Sequence, residues 1–130
     1  MNIPQDRRYT KTHEWAKEHS GEVLVGITAH AQEELRDIVY IELPAVGKTV
    51  TQGAPAAVVE SVKAAFDIYA PVSGVVTRAN AILQTSPQLV NQDCYEAGWL
   101  FAIQPNNPQE LTTLLTADVY TKLIHTVSHH

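Results

Sequence analysis

The stretch Val58-Val59-Glu60-Ser61-Val62-Lys63-Ala64-Ala65-Phe66-Asp67-Ile68-Tyr69 sets one lysine between two short apolar runs rich in β-branched residues. As strands, the first run turns Val58, Glu60 and Val62 to one face and Val59, Ser61 and Lys63 to the other. Phe66, Ile68 and Ala70 resume the alternation beyond the lysine. Two strands meeting with almost nothing between them make a hairpin, with Lys63 at or beside its tip. The small neighbours Ala64 and Ala65 leave the ε-amine accessible. No Asn-Gly or Asp-Gly marks the turn, so a type I turn is expected rather than a type I′ one. Taken alone, such a lysine is a solvated hairpin tip, and Glu60 and Asp67 are solvated carboxylates beside it.

The other chemistry-bearing side chains form no constellation. There are six histidines, but His13, His19 and His30 fall in different expected elements and no Cys-x-x-Cys pair accompanies them, so no metal site is expected. Cys94, the one cysteine, has no base partner in the sequence and reads as a small buried hydrophobe. No Gly-x-Ser-x-Gly elbow or glycine-rich phosphate loop is present. Trp15 and Trp99 read as core residues rather than ligand platforms. The residues show no catalytic apparatus.

The chain that must position Lys63 has 130 residues, which suits one domain. With 45% apolar and 18% charged residues its composition is that of a globular protein. A formal net charge of −5 argues against a nucleic-acid binder, which needs a basic face, and suits docking on basic partners. No apolar run is long enough to span a bilayer, and Met1–Arg8 has neither a signal core nor the character of a transit peptide. A single cysteine excludes an internal disulfide, so the expected setting is a reducing bacterial cytoplasm, a mature organellar form being equally compatible. A monomer without membrane or nucleic-acid partners is expected.

Along the chain, residues 1–8 are expected to form a loosely held arm. Tyr9, Lys11, His13 and Trp15 then share one face of a strand, opposite Thr10, Thr12, Glu14 and Ala16. His19-Ser20-Gly21-Glu22 signals a turn and Val23–Ile27 the returning strand. Thr28 caps a short helix through about Leu35, and Ile38–Glu42 is a strand stopped by Pro44 and Gly47. Gly53 marks a turn before the lysine hairpin. A faint repeat runs through this half. Pro44-Ala45-Val46-Gly47 and Pro71-Val72-Ser73-Gly74 each follow a strand and lead into β-branched residues, Thr49-Val50 and Val75-Val76. Two related halves of a sandwich would give this pattern, and coincidence would serve nearly as well. Beyond it come a helical turn at Ile82-Leu83 capped by Asn80, an irregular section from Thr85 to Gly98, and a last strand over Trp99–Ile103. From Asn107 the period changes. Asn107-Pro108-Gln109-Glu110 has the N-cap, first-position proline and third-position glutamate of a capping box, ahead of a stripe of Leu111, Leu114 and Leu115. A second helix from about Thr116 puts Val119, Tyr120, Leu123, Ile124 and Val127 on one face. The tail His129-His130 is native or a cloning remnant. The expected fold is a single β-rich α+β domain, 1–130, ending in helices over 107–127.

The run Val59-Glu60-Ser61-Val62-Lys63-Ala64-Ala65 resembles the lipoyl-lysine hairpin of glycine cleavage system H proteins. Thr12-His13-Glu14-Trp15, Gly26-Ile27-Thr28, Val39-Tyr40-Ile41-Glu42-Leu43-Pro44, Asp67-Ile68-Tyr69, Pro71-Val72-Ser73-Gly74, Leu89-Val90-Asn91 and Gly98-Trp99-Leu100 resemble further blocks of that family, in the same order. The resemblance runs from about Tyr9 to about Tyr120. It implies a lipoyl-type sandwich of two antiparallel sheets, a barrel-sandwich hybrid, with helices at the C-terminus. It also implies that Lys63 alone carries covalently bound lipoate, within a motif of Glu60, Ser61, Val62 and Ala64. A lipoate-attaching enzyme would read that motif, with Glu60 as a positional marker.

Redox and one-carbon chemistry needs a dithiol or an electron sink, and this chain has neither, so the cofactor must bring it. In the family, pyridoxal-phosphate glycine decarboxylase supplies an aminomethyl group and the tetrahydrofolate-dependent aminomethyltransferase removes it. Dihydrolipoamide dehydrogenase then reoxidises the dithiol. The chain itself would be a carrier and not an enzyme. Lysine stem and acyl chain together span roughly ten single bonds, a reach on the order of 14 Å. A loaded arm needs apolar cover and oxygen acceptors for its amine. Thr12 and Glu14, from one strand face, and Asp67, near the hairpin, are expected to supply the oxygens.

Neighbouring carrier families fit less well. A biotin domain presents Met-Lys-Met, and dehydrogenase-complex lipoyl domains resemble Asp-Lys-Ala there and lack the Thr12–Trp15 block. An H-like protein relaying lipoyl groups to other enzymes, and an unlipoylated regulatory or interaction protein of the same fold, are the alternative readings. The chain departs from the family at Arg36, where Gly is usual after the short helix, and at Phe66, where a small polar residue is usual. Cys94 and Glu96 stand for a usual Pro and Gly. Arg36 implies either strain at a left-handed helix end or a different ending. Phe66 either packs inward or alters how partners read the hairpin.

Overall fold

The computed structural model describes residues 2–128, with side chains through His125. His129, His130 and the side chain of Val127 lie outside the described residues. Two antiparallel sheets enclose the core, the β-rich sandwich expected from the sequence. The larger sheet runs in the order β1 (Arg8–Tyr9), β2 (Glu14–His19), β3 (Glu22–Ile27), β9 (Phe101–Pro105), β8 (Gly74–Ala79) and β5 (Thr49–Val50). The smaller sheet places β6 (Pro55–Ser61) between β4 (Ile38–Glu42) and β7 (Ala65–Tyr69). Helices α1 (Ala29–Leu35), α2 (Leu89–Gln92) and α3 (Ala117–Ser128) and two 3₁₀ segments, Ala81–Gln84 and Pro108–Thr113, close the ends. Among the described residues, no helix is long and apolar enough to cross a membrane.

Local chemistry accounts for most of these elements. The β2–β3 hairpin turns on Ser20 and Gly21 with φ of 52° and 84°, the two positive values of a type I′ turn. Alternation then buries Val23, Val25 and Ile27 against Phe101 and Ile103, with Ile41, Val59 and Ile68 facing them from the smaller sheet. Each such side chain contributes about 1.5–3 kcal/mol by leaving water. Trp15 lies across β3 opposite Gly26, where a Cβ would come within 2.5 Å of the indole. A second cluster of Tyr9, Trp15, Ala117, Tyr120 and Ile124 seats α3 on β1 and β2, with the Tyr9 and Tyr120 rings stacked at 4.8 Å.

The repeat noted in the sequence has a structural counterpart. β5 and β8, the strands that follow the two Pro-x-x-Gly segments, pair with each other through Thr49↔Val75 and Val50↔Gly74. Their upstream strands, β4 and β7, flank β6 on either side.

Several expectations need correction. The N-terminal arm is not loose. Arg7 is buried, with its guanidinium 4.7 Å from the Trp15 ring and 5.4 Å from that of Tyr95, and it donates to the Tyr95 carbonyl at 3.0 Å. The stretch from Tyr9 to Trp15 is not one strand, because Tyr9 folds back to pair with Trp15. Thr10–His13 must therefore turn, and His13 takes a φ of 74°. Asn80 does not cap the following 3₁₀ turn, its amide donating instead to the carbonyls of Ala97 and Trp99 at 2.9 and 2.8 Å. The section after Thr85 contains α2, and the last strand starts at Phe101 rather than Trp99. Asn107 caps a 3₁₀ segment, but Glu110 leaves the capping box to accept the Ser73 amide at 2.7 Å. Val119 is 48% exposed, since α3 packs through Ala117, Tyr120 and Ile124.

Candidate functional site

The β6–β7 hairpin narrows to Val62 and Lys63. Its last strand pair is Glu60↔Ala65, and Ser61 N donates to the Ala64 carbonyl at 2.9 Å. Neither tip residue has positive φ, so the turn is not of a primed type, as the absence of Asn-Gly implied. The buried Ser61 hydroxyl completes the closure, accepting the Lys63 amide at 3.1 Å and the Ala64 amide at 3.4 Å. Val62 N reaches the Asp37 carbonyl at 3.1 Å, tying the tip to the entry of β4. The root is thereby fixed, while the exposed Lys63 side chain makes no ion pair with any described residue.

Lys63 borders a cleft of about 350 Å³. Ile27 and Leu35 from one side and Phe66 and Ile68 from the other give it apolar walls, and Thr12, His13, Glu34 and Asp67 supply its polar groups. Phe66 stands 41% exposed along this wall and does not enter the core. An apolar slot with polar groups and an unpaired lysine at its border fits a fatty-acyl amide that ends in a polar group. The donor set thus suits lipoate, and no described histidine, cysteine, aspartate and glutamate side chains gather in threes as a metal site would need.

The three oxygen-bearing residues expected at the arm are divided. Thr12 and Asp67 border the Lys63 cleft. Glu14 lies behind it, fully buried, and borders the adjoining hollow that Tyr69 and Thr113 share. Its Oε1 accepts the Thr12 hydroxyl at 2.6 Å and the Thr10 hydroxyl, and its Oε2 accepts the Tyr69 amide at 3.1 Å. Glu60 is exposed between Tyr40 of β4 and Ala65 of β7 and does not border the cleft. Ser61 pins the turn, and the small Ala64 sits exposed beside the lysine.

Sequence reading missed a polar relay next to the cleft. His13 Nδ1 lies 2.8 Å from Tyr120 Oη, which lies 2.7 Å from Thr28 Oγ1. The His13 ring also tilts over His30 at 4.6 Å, and His30 Nε2 approaches Glu34 at 2.5 Å. Burial first, then the neighbouring His30, hold the His13 imidazole below its ordinary value. His13 and Tyr120 are separated by 107 positions, and no local signal joins them. Cys94 is buried, and burial pushes its thiol up to about 11, which makes it an inert filler. Arg36 takes the strained option, with φ 68° and ψ −144° at the end of α1.

The family model described as glycine cleavage H-protein matches residues 7–127. A glycine cleavage system H protein of Thiobacillus denitrificans is 53% identical over 130 residues, spanning 99% of this chain and 100% of that protein. One from Thermus thermophilus is 52% identical over 124 residues, spanning 95% of this chain and 97% of that protein. The crystal structure of a glycine cleavage system H protein from Mycobacterium marinum superposes with a TM-score of 0.88 at 40% identity, covering 95% of this chain and 99% of that one.

Proposed function

The chain belongs to the glycine cleavage H-protein family, and from that premise we propose that it is a single-domain carrier whose Lys63 bears lipoate in amide linkage. The observation that carries this reading is the placement of Lys63, unpaired, on a pinned turn at the border of an apolar cleft. Bound there, lipoate supplies a dithiol–disulfide couple and the sulfur to which a one-carbon amine is attached.

The chain's own residues anchor, cover and orient. Ser61 fixes the turn so that the arm swings from a stationary root. Ile27, Leu35, Phe66 and Ile68 exclude water from the acyl chain. Asp67 and Thr12 present oxygens to an amine in the cleft, and Glu14 orients the Thr12 hydroxyl from behind. Glu60, exposed on the outward strand face, serves as the marker by which a lipoate-attaching enzyme finds the turn.

The partners of this reading are glycine decarboxylase, aminomethyltransferase and dihydrolipoamide dehydrogenase. They act in turn on a monomeric carrier in the bacterial cytoplasm that is not itself an enzyme. Intact mass of the protein from its native host, with Lys63→Arg alongside, tests the proposal. A lipoyl increment on the parent and none on the variant is expected. No increment on the parent, or one that survives the substitution, overturns it.

A further inference from the structure

Thr28, Tyr120 and His13 form a chain of polar side chains whose proton directions follow from counting donors. Thr28 is fully buried, and its Oγ1 already accepts the Ala31 amide at 3.2 Å as the N-cap of α1. The acceptor its own hydroxyl hydrogen meets is Tyr120 Oη at 2.7 Å, since a buried donor left without an acceptor is costly. Burial raises the Tyr120 phenol above its ordinary value, so it stays protonated. With Thr28 donating to it, Tyr120 directs its single hydrogen to His13 Nδ1 at 2.8 Å. Nδ1 is then an acceptor, and the neutral imidazole carries its hydrogen on Nε2.

Position along the cleft decides what that N–H can meet. Tyr69 is bonded to Glu14, the residue after His13, so the His13 turn lies beside the end of β7 remote from the tip. Lys63 to Ile68 is five residues, about 16 Å at about 3.3 Å each. An arm reaching on the order of 14 Å from Lys63 along the cleft that His13 also lines would bring its far end, not its amide, towards His13. The His13 backbone holds its positive φ of 74° through bonds from its N–H to the Thr10 carbonyl at 3.2 Å and from Thr28 N–H to its carbonyl at 3.1 Å. Positive φ is uncommon in a residue other than glycine. The titratable groups around the ring are His30 and Glu34 of α1, Tyr120 of α3, and Lys63 and Asp67 of the hairpin.

We propose that His13 is a positioning residue for the arm, donating from Nε2–H to a sulfur at the far end of a lipoyl group on Lys63. The inference rests on the carrier reading above. A hydrogen bond to sulfur favours the thiolate over the thiol, so the reduced arm titrates lower beside His13 than free in water.

Two measurements test it. On the unlipoylated protein, ¹⁵N NMR at neutral pH shows the Nε2–H tautomer of His13, and Tyr120→Phe, which keeps its ring on Tyr9, loosens that preference. A Nδ1–H tautomer in the parent overturns the proposal. On the lipoylated, reduced protein, iodoacetamide alkylation of the arm is followed against pH by the mass of the Lys63 peptide. At neutral pH the rate falls about three- to tenfold in His13→Phe, and by less in Tyr120→Phe. Tyr120→Phe decides the matter if His13→Phe does not fold. An unchanged alkylation profile with the lipoyl increment present on Lys63 overturns this inference and leaves the carrier reading standing. Failure of Lys63 to accept lipoate overturns both.

Discussion

Glu14 Oε2 accepts the backbone amide of Tyr69 at 3.1 Å, so a fully buried carboxylate of the larger sheet holds a strand of the smaller one. Its other oxygen gathers the Thr12 and Thr10 hydroxyls. Glu14→Ala leaves the Tyr69 amide without its acceptor and opens a void, and is expected to lower stability by about 2–3 kcal/mol in urea melts. Glu14→Gln keeps the shape and one acceptor, and is expected to cost about 1 kcal/mol. Equal melting of parent and Glu14→Ala would show that the carboxylate is not a tether.

Asp67→Ala is the variant that reads the proposed protection of cargo apart from the stability of the fold. Asp67 is exposed and borders the cleft without a hydrogen-bond role comparable to that of Glu14. Asp67→Ala is expected to leave melting unchanged and to quicken formaldehyde release from the isolated, aminomethyl-loaded protein by about two- to fivefold. Glu14→Ala should change both quantities. Unchanged half-lives in both variants, with normal folding, would place the cargo elsewhere.

Arg36 ends α1 at φ 68° and ψ −144°, a region that residues with a Cβ avoid. Its amide still bonds the Gln32 carbonyl at 3.0 Å, and Asn91 clamps its carbonyl at 2.7 Å, so the conformation is enforced from both sides. Such strain costs about 1–3 kcal/mol. Arg36→Gly is expected to stabilise the protein by about 1 kcal/mol, part of the relief being lost to the greater freedom of unfolded glycine. Denaturant midpoints that fall in this variant would refute the account.

His13 makes the fold sensitive to acid. Burial and His30 lower its folded value below the ordinary 6.5, so on acidification the unfolded chain takes up that proton first. Stability is therefore full above the ordinary histidine range and falls as the pH drops through it, until the folded His13 also titrates. Urea melts between about pH 5 and 8 should show this slope in the parent and a shallower one in His13→Phe. His30 and Glu34 of α1, Tyr120 of α3, and Lys63 and Asp67 of the hairpin are the titratable groups that face the ring. Parallel curves would exclude His13 as the source.

What was legible in the sequence is what neighbours along the chain determine. The Lys63 tip follows from period-two alternation around small residues. Thr28 announces its cap through the helix after it, and Ser20-Gly21 announces its turn. The bend at Thr10–His13 was illegible because no glycine or proline marks it, and alternation reads equally well on either side. Arg7 falls in the stretch expected to be a loose arm, and its burial depends on Trp15 beyond the following turn and on Tyr95, 88 positions away. Glu110 has the spacing of a capping box, yet Ser73, 37 positions away, offers it a better donor pair. Glu14 is expected from the sequence as a cargo ligand, and its bond to Tyr69, across 55 positions, adds a scaffold role that local pattern does not show. Site chemistry carried by long-range pairs cannot be seen in local pattern.

The smaller sheet has two outer strands, and side chains occupy some of their outward backbone groups. On β4, Ile38 N donates to Asn91 at 3.0 Å and the Ile41 carbonyl accepts from Gln84 at 3.2 Å. On β7, the Tyr69 amide belongs to Glu14. A foreign strand pairing at these positions would have to displace these bonds, which makes them poor templates for cross-β stacking. At the Tyr69 end of β7, an enzyme that visits Lys63 is therefore expected to recognise the hairpin by shape and side chain rather than by adding a strand there.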